Sequence, residues 1–220
     1  LKDIADIFLI HDRPIARPVD DSVVRIMGGR EMMIRRARGY APLPIMIGKS
    51  APPCLAVGAH LKNSVAITVE NQVVLSQHIG DMETPLAFES FRRTIDHLTQ
   101  IYENKPGKIA CDLHPDYQST QYARKSGAEL ITVQHHYAHI LSCMMDNNIE
   151  PPVLGVAWDG TGYGPDGTVW GGEFLTIDEK GYSRLASLRR FPLPGGEKAI
   201  KEPRRAALGL LYELYNGEFS

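Results

Sequence analysis

The sequence has few cysteines. Cys54, Cys111 and Cys143 are the only three in 220 residues, and no two form a CxxC pair. That excludes a secretory disulfide framework and fits reduced thiols in a cytoplasmic protein. Long apolar runs are missing as well: none reaches the roughly 20 residues that a membrane-spanning helix needs, and no signal-peptide pattern is visible. Charge of one sign is not in excess. The formal net charge is −2, which argues against a nucleic-acid binder and against a membrane-surface protein. Short repeats and low-complexity segments are absent too.

What remains is a globular composition, 43% hydrophobic and 23% charged, in a chain long enough for one large domain or two small ones. The charge is unevenly spread. Residues 1–50 hold nine Lys/Arg against six Asp/Glu, and the remainder fifteen against twenty. The first segment is therefore the better place for an anionic ligand. The chain starts at Leu1 and ends in "LYELYNGEFS", just after a helical pattern. Both ends read as cut points in a longer protein.

The N-terminal part offers an apolar run at Ile4–Ile10, a Pro-interrupted loop, a strand pattern at Ser22–Met27, a Gly28-Gly29 turn, a second short strand pattern and the basic loop "RRARGY". The Pro-rich "YAPLPIMIGKSAPPC" reads as a linker, with a domain boundary near residues 48–53. From Cys54 the texture changes. "CLAVGAHLKNSVAITV" and "QVVLSQHI" predict a hairpin. Thr84-Pro85 predicts a capped helix start, with Phe91, Ile95, Leu98 and Tyr102 on its buried face. "KIACDL" and "AELITV" predict strands, "PDYQSTQYARKSG" a helix ended by Gly127, and "HHYAHILSCMMDNN" another helix. "PPVLGVAWDGTGYGPDGTVWGGEFLTID" predicts strand, Gly-rich turn and strand, and "EKGYSRLASL" continues the sheet. A last helix is expected from about Lys198 to Tyr215. The order is that of an α/β protein: a mixed sheet with helices on its faces.

Four constellations bear chemistry. In "VQHHYAHILSC", His135 and His139 stand at i and i+4, on one face of a helix that opens directly after a strand. They are either two ligands of one ion or a capping and a packed histidine; His136 is turned about 100° away. Asp159, at the end of the apolar strand "VLGVAW", is a candidate third ligand or a turn residue. The hairpin "DGTGYGPDGTVWGG" brings Gly160, Thr161, Gly162, Gly171 and Gly172 to where backbone N–H groups approach a phosphate, as in actin/Hsp70/sugar-kinase folds, or it is an ordinary turn. Lys62 and Asn63 in "GAHLKNSVAI" are a possible counterpart on the first hairpin. Finally, Arg13, Arg17, Ser22, Arg36 and Arg38 lie in loops suited to phosphate or carboxylate, or simply solvated. The stretch "LPGGEKAIKEPRR" places a Gly turn and charges before a helix start, where an anion or plain capping would suit.

Together, "HDRPIARPVDDSVVR", "RRARGYAPLPI", "GAHLKNSVAI", "CDLHPDY", "QHHYAHILSC", "VAWDGTGYGPDGTVWGGEFL" and "LPGGEKAIKEPRRAAL" resemble the HypF family of hydrogenase-maturation carbamoyltransferases. They cover nearly the whole chain in the family's order. The resemblance implies that residues 1–48 are the tail of a YrdC-like α/β domain, 49–53 a linker, and 54–220 the first part of an ASKHA-type transferase domain. It implies an enzyme that converts carbamoyl phosphate, with ATP, to carbamoyl-adenylate. The carbamoyl group then passes to the C-terminal cysteine of HypE, for the cyanide ligands of [NiFe]-hydrogenase. It also implies a divalent metal, iron or zinc, on His135, His139 and Asp159, with a further ligand beyond residue 220. No nucleic acid or membrane partner is implied. This piece alone is expected to be inactive, since the adenylation pocket needs residues before Leu1. A tRNA threonylcarbamoyltransferase-like protein and a non-catalytic HypE-docking scaffold are the other readings.

Overall fold

The computed structural model describes residues 3–48, 50–103 and 105–218. Two compact units divide the chain, Leu1–Gln134 and His135–Ser220. The fold class is mixed α/β, as the order of elements predicts.

In the first unit, β1 (Val23–Met27) and β2 (Arg30–Arg35) pair as an antiparallel hairpin across Gly28-Gly29. Both turn glycines have positive φ, the geometry of a tight two-residue turn. The apolar run Ile4–Ile10 forms no regular element, and Ile4, Ile7, Leu9 and Ile10 are exposed. An apolar run becomes a strand only where a partner ladder receives it. The Pro-rich stretch is not all linker: Pro44–Met46 form β3, which pairs with β6 (Gln72–Leu75). The stretch "CLAVGAHLKNSVAITV" is two strands, β4 (Cys54–Ala56) and β5 (Ala66–Val69), joined by a loop. With β7 (Lys108–Asp112) and β8 (Glu129–Val133) these strands form a six-stranded sheet in the order β3-β6-β5-β4-β7-β8. Within it β4, β7 and β8 run parallel.

Helix α1 (Pro85–Ile101) starts where the sequence predicts: the Thr84 hydroxyl accepts the Ala87 N–H and Pro85 occupies the first turn. Its apolar stripe, Phe91, Ile95 and Leu98, is buried against Leu55, Val57, Ile67, Val74 and Ile109 of the sheet, with Tyr102 partly buried beside them. Helix α2 (Gln118–Lys125) ends before Gly127, whose φ of +76° suits the residue after a helix.

In the second unit, α3 (His135–Asp146) packs on β9 (Val153–Tyr163), which with β10 (Val169–Asp178) and β11 (Gly181–Ser187) forms an antiparallel sheet in the order β11-β10-β9. Ile140 and Met144 of α3 meet Ala157, Trp170, Leu175 and Ile177 in its core. The approach is close at Gly155, where a Cβ would stand 2.5 Å from two Ile140 carbons. The single helix expected after Lys198 is two: α4 (Glu197–Lys201) and α5 (Pro203–Leu214). Pro203 is the reason. It lacks the N–H that would continue the helix and holds Glu202 at φ −121°, ψ 89°, outside the helical region.

All three cysteines are free thiols; burial pushes the Cys54 and Cys111 thiols up. Among the described residues, no helix is long and apolar enough to cross a membrane.

Candidate metal centre

His135 and His139 open α3 one turn apart, and their Nε2 atoms lie 3.2 Å from each other. Asp159 Oδ2 stands 2.9 Å from His135 Nε2 and 3.3 Å from His139 Nε2. The three side chains thus converge, with ligand atoms all within 4.8 Å of one another.

Strand β9 delivers the carboxylate through a break in its ladder. Trp170 pairs with Gly162 and Gly172 with Trp158, so Asp159, Gly160 and Thr161 stand opposite Gly171 alone. Such a bulge bends the strand and re-aims a side chain. The Gly160 N–H donates to Asp159 Oδ1 at 2.6 Å, which leaves Oδ2 to the imidazoles. The strand can come this near only because residue 162 is glycine. A Cβ there would lie 2.6 Å from His136 Cε1, 2.7 Å from His136 Nδ1 and 2.9 Å from His135 Cβ.

Burial acts to raise the Asp159 carboxyl. The Gly160 N–H and the charges of His135, His139 and His136 outweigh it and hold the group below the usual carboxylate range. The carboxylate is therefore ionised at neutral pH. His136 lies off the donor face, as the helical angle predicts: it is fully buried, with its ring 6.4 Å from that of Trp170. Burial pushes its imidazole down, against the pull of Asp159. Because the unfolded chain binds that proton more readily, folding stability contributed by a neutral His136 should be present above about pH 6.5 and fall as the pH drops through it. Urea melts at pH 7.5 and 5.5 should show a smaller difference for His136→Gln than for the parent; an equal difference would remove His136 as the cause.

Two imidazole nitrogens and one ionised carboxylate oxygen are a donor set that suits a divalent zinc or iron ion, with room for a further ligand. A cavity of about 600 Å³ adjoins His139 and Asp159, walled by Ile140, Met144, Val153 and Trp158.

The other predicted site residues are placed differently. Gly160, Thr161 and Gly162 lie inside β9, and Gly171 and Gly172 inside β10, at and beside the bulge; the turn itself is Gly164–Thr168. Its aspartate is Asp166, bound by the Thr168 hydroxyl and backbone N–H, by Trp170 Nε1 and by Arg190. Lys62 is exposed, with its backbone N–H on Asp81. Asn63 is buried, and its amide donates to the carbonyls of Val57 and Ala59, closing the loop after β4. Ser22, Arg36 and Arg38 tie one local network: Ser22 Oγ accepts from Ala37 N and donates to Arg38 O, Arg36 donates to Leu43 O, and Arg38 pairs with Asp21 at 3.3 Å. Arg13 and Arg17 are exposed, Arg17 beside a cavity of about 410 Å³ along α1.

Two residues that sequence reasoning passed over are Glu173 and Arg184. Glu173 is 1% exposed, and Arg184 clamps it through Nε at 2.6 Å and Nη2 at 2.8 Å. The alternation Ile177, Leu175, Glu173 was the available signal, since it puts a carboxylate on the buried face of a strand, where it needs a cation.

The fold and the donor set thus define a mixed α/β protein with a candidate metal centre on a helix–strand pair. Comparison with known proteins gives the class a family. Residues 49–146 match the HypF Kae1-like domain, and residues 155–220 the second subdomain of the carbamoyltransferase Kae1-like domain. The chain belongs to the HypF carbamoyltransferase family. It is 51% identical to the carbamoyltransferase HypF of Synechocystis, with all of this chain and 29% of that protein aligned. It is 43% identical to the HypF of Rhizobium leguminosarum, over 94% of this chain and 27% of that one. A crystal structure of full-length HypF in a phosphate- and nucleotide-bound form superposes with a TM-score of 0.90 at 46% identity, over 96% of this chain and 34% of that chain. HypF of T. kodakarensis gives 0.87 at 42%, over 97% and 28%. The chain therefore spans about three-tenths of the length of the curated relatives it matches.

Proposed function

We propose that this chain is the transferase portion of a carbamoyltransferase that uses carbamoyl phosphate and ATP to form carbamoyl-adenylate, with release of phosphate and pyrophosphate. It then passes the carbamoyl group to the C-terminal cysteine thiol of HypE, with release of AMP. The observation that carries this reading is the convergence of His135, His139 and Asp159 on one point in a family of carbamoyltransferases. In this reading residues 1–48 close a YrdC-like domain, residues 54–220 begin the ASKHA-type domain, and the protein works in the cytoplasm. The match to the HypF Kae1-like domain from residue 49 supports that division, with β3 (Pro44–Met46) as the stretch before it that already joins the following sheet through β6.

His135, His139 and Asp159 would hold a divalent ion, iron or zinc. When bound, the ion supplies Lewis acidity toward a carbonyl or phosphoryl oxygen. The protein's own part is to keep the carboxylate ionised, to keep both imidazoles on one helix face, and to line the adjoining open cavity with apolar side chains. Lys62, the glycines of the β9–β10 bulge and the N-terminal arginines are the groups we assign to phosphate and adenylate.

Two measurements test the reading. Cobalt titration of a full-length protein carrying this segment should give a d–d absorption band that His135→Ala loses or reduces; identical spectra for the two would remove the donor assignment. In a full-length protein carrying this segment, mass spectrometry should show a carbamoyl adduct on the HypE C-terminal cysteine only when carbamoyl phosphate and ATP are both supplied. An adduct elsewhere on HypE, or none, would refute the transfer.

A further inference from the structure

Glu173 has no part in the chemistry proposed above, yet it is the most deeply buried carboxylate near the bulge, at 1% exposure. A carboxylate taken out of water is stable only when it is paired and fully hydrogen-bonded. Glu173 meets both conditions. Oε2 accepts from Arg184 Nε at 2.6 Å, and Oε1 accepts from Arg184 Nη2 at 2.8 Å, a two-pronged pair. Oε1 also accepts the backbone N–H of Gly171 at 3.1 Å.

That last bond ties Glu173 to the metal centre. Gly171 is the one β10 residue that faces the three bulged residues Asp159, Gly160 and Thr161. At that point the regular ladder between β9 and β10 is interrupted, and the Glu173 carboxylate takes the N–H of Gly171. Arg184 is fixed in turn, because its guanidinium carbon sits 4.1 Å from the centre of the Trp170 ring. Trp170 donates its indole N–H to Asp166 at 3.0 Å and pairs across the ladder with Gly162, the residue that lets β9 reach His135 and His136. The carboxylate, the guanidinium and the indole therefore surround the bulge on its β10 side.

We propose that Glu173, held by Arg184, is a positioning residue that fixes the β9 bulge and so aims Asp159 at His135 and His139. The inference rests on the metal-centre reading, and it concerns the shape of the site rather than its donors. Loss of the Glu173 charge frees Arg184 from its fork and weakens the hold on Gly171, so the bulge can return toward a regular ladder. Asp159 then turns away from the imidazoles.

The test uses a full-length protein carrying this segment, with cobalt as the probe and Glu173→Gln, which keeps side-chain size and an acceptor but removes the charge. Affinity should fall about tenfold, the low end for residues that support metal ligands from outside, and the d–d band should shift. Arg184→Lys, which keeps the charge but loses the fork, should fall by a smaller factor in the same direction. Unchanged cobalt affinity and band shape in Glu173→Gln would overturn the proposal. A full-length parent whose cobalt spectrum is unchanged by His135→Ala would refute the metal reading instead. The positioning role is then decided by the metal-free crystal structure of Glu173→Gln: His135 Nε2 and Asp159 Oδ2 separated beyond hydrogen-bonding distance support it, and an unchanged contact sinks it. Should Glu173→Gln fail to fold, the same cobalt and crystallographic readings on Arg184→Lys decide.

Discussion

Asp159→Ala in a full-length protein carrying this segment is expected to reduce carbamoyl transfer to HypE by at least about a hundredfold, the range seen when one preorganised polar group is removed from an active site. Single-turnover formation of carbamoyl-adenylate, read as carbamoyl-phosphate-dependent pyrophosphate release from ATP, should stay near the parent level. The split follows from where the residue sits. Asp159 meets His135 at 2.9 Å and His139 at 3.3 Å, in the segment that matches the Kae1-like transferase domain. Adenylation is proposed for the YrdC-like part. Alanine removes the only carboxylate of the donor set, and it also removes the acceptor for the Gly160 N–H. A turn aspartate would behave differently, costing about 1 kcal/mol of stability and little else. Both activities should be measured on one preparation beside its thermal melt. Retention of both at the parent level would make Asp159 a turn residue; equal loss of both at an unchanged melting temperature would place it in a step shared by the two halves.

Much of this arrangement was legible in the sequence, for a physical reason. The i, i+4 spacing of His135 and His139 fixes their shared face on any regular helix, and the Thr84-Pro85 pair marks a helix start through its own hydrogen bond and missing N–H. Asp159 could be named as a ligand or a turn residue because it ends an apolar strand, but its orientation depends on the bulge. A bulge is a mismatch in register between two strands, and neither strand alone encodes it. The same limit explains the glycines. The motif "DGTGYGPDG" reads as a turn, whereas only Gly164–Thr168 turn and Gly160–Gly162 lie in β9. β3 escaped notice because its three residues begin on a proline, Pro44, in a Pro-rich stretch and gain a strand only from β6. Asn63 escaped as a loop-closing residue because its partners, Val57 and Ala59, are backbone carbonyls that any sequence would provide. Glu173 and Arg184 lie eleven residues apart on different strands, so their pairing is a tertiary fact.

The neighbouring glycines of the bulge separate packing from chemistry, and Gly162→Ala is expected to have the larger effect. Its new Cβ would fall 2.6 Å from His136 Cε1 and 2.9 Å from His135 Cβ, closer than carbon atoms pack. His136 cannot yield, since it is fully buried. Helix α3 and strand β9 must therefore separate, which overpacking data place at about 1–3 kcal/mol of lost stability. The same separation carries His135 and His139 away from Asp159, so cobalt affinity should fall with it. Gly160→Ala, two residues away, is the matched control: nothing lies within 4 Å of its Cβ, and the residue is exposed. It should stay within about 0.5 kcal/mol of the parent, as surface substitutions usually do, with cobalt affinity retained. Urea melts and cobalt titrations on the two variants decide the matter. Equal behaviour of Gly162→Ala and Gly160→Ala would mean that the close approach of β9 to α3 does not build the site.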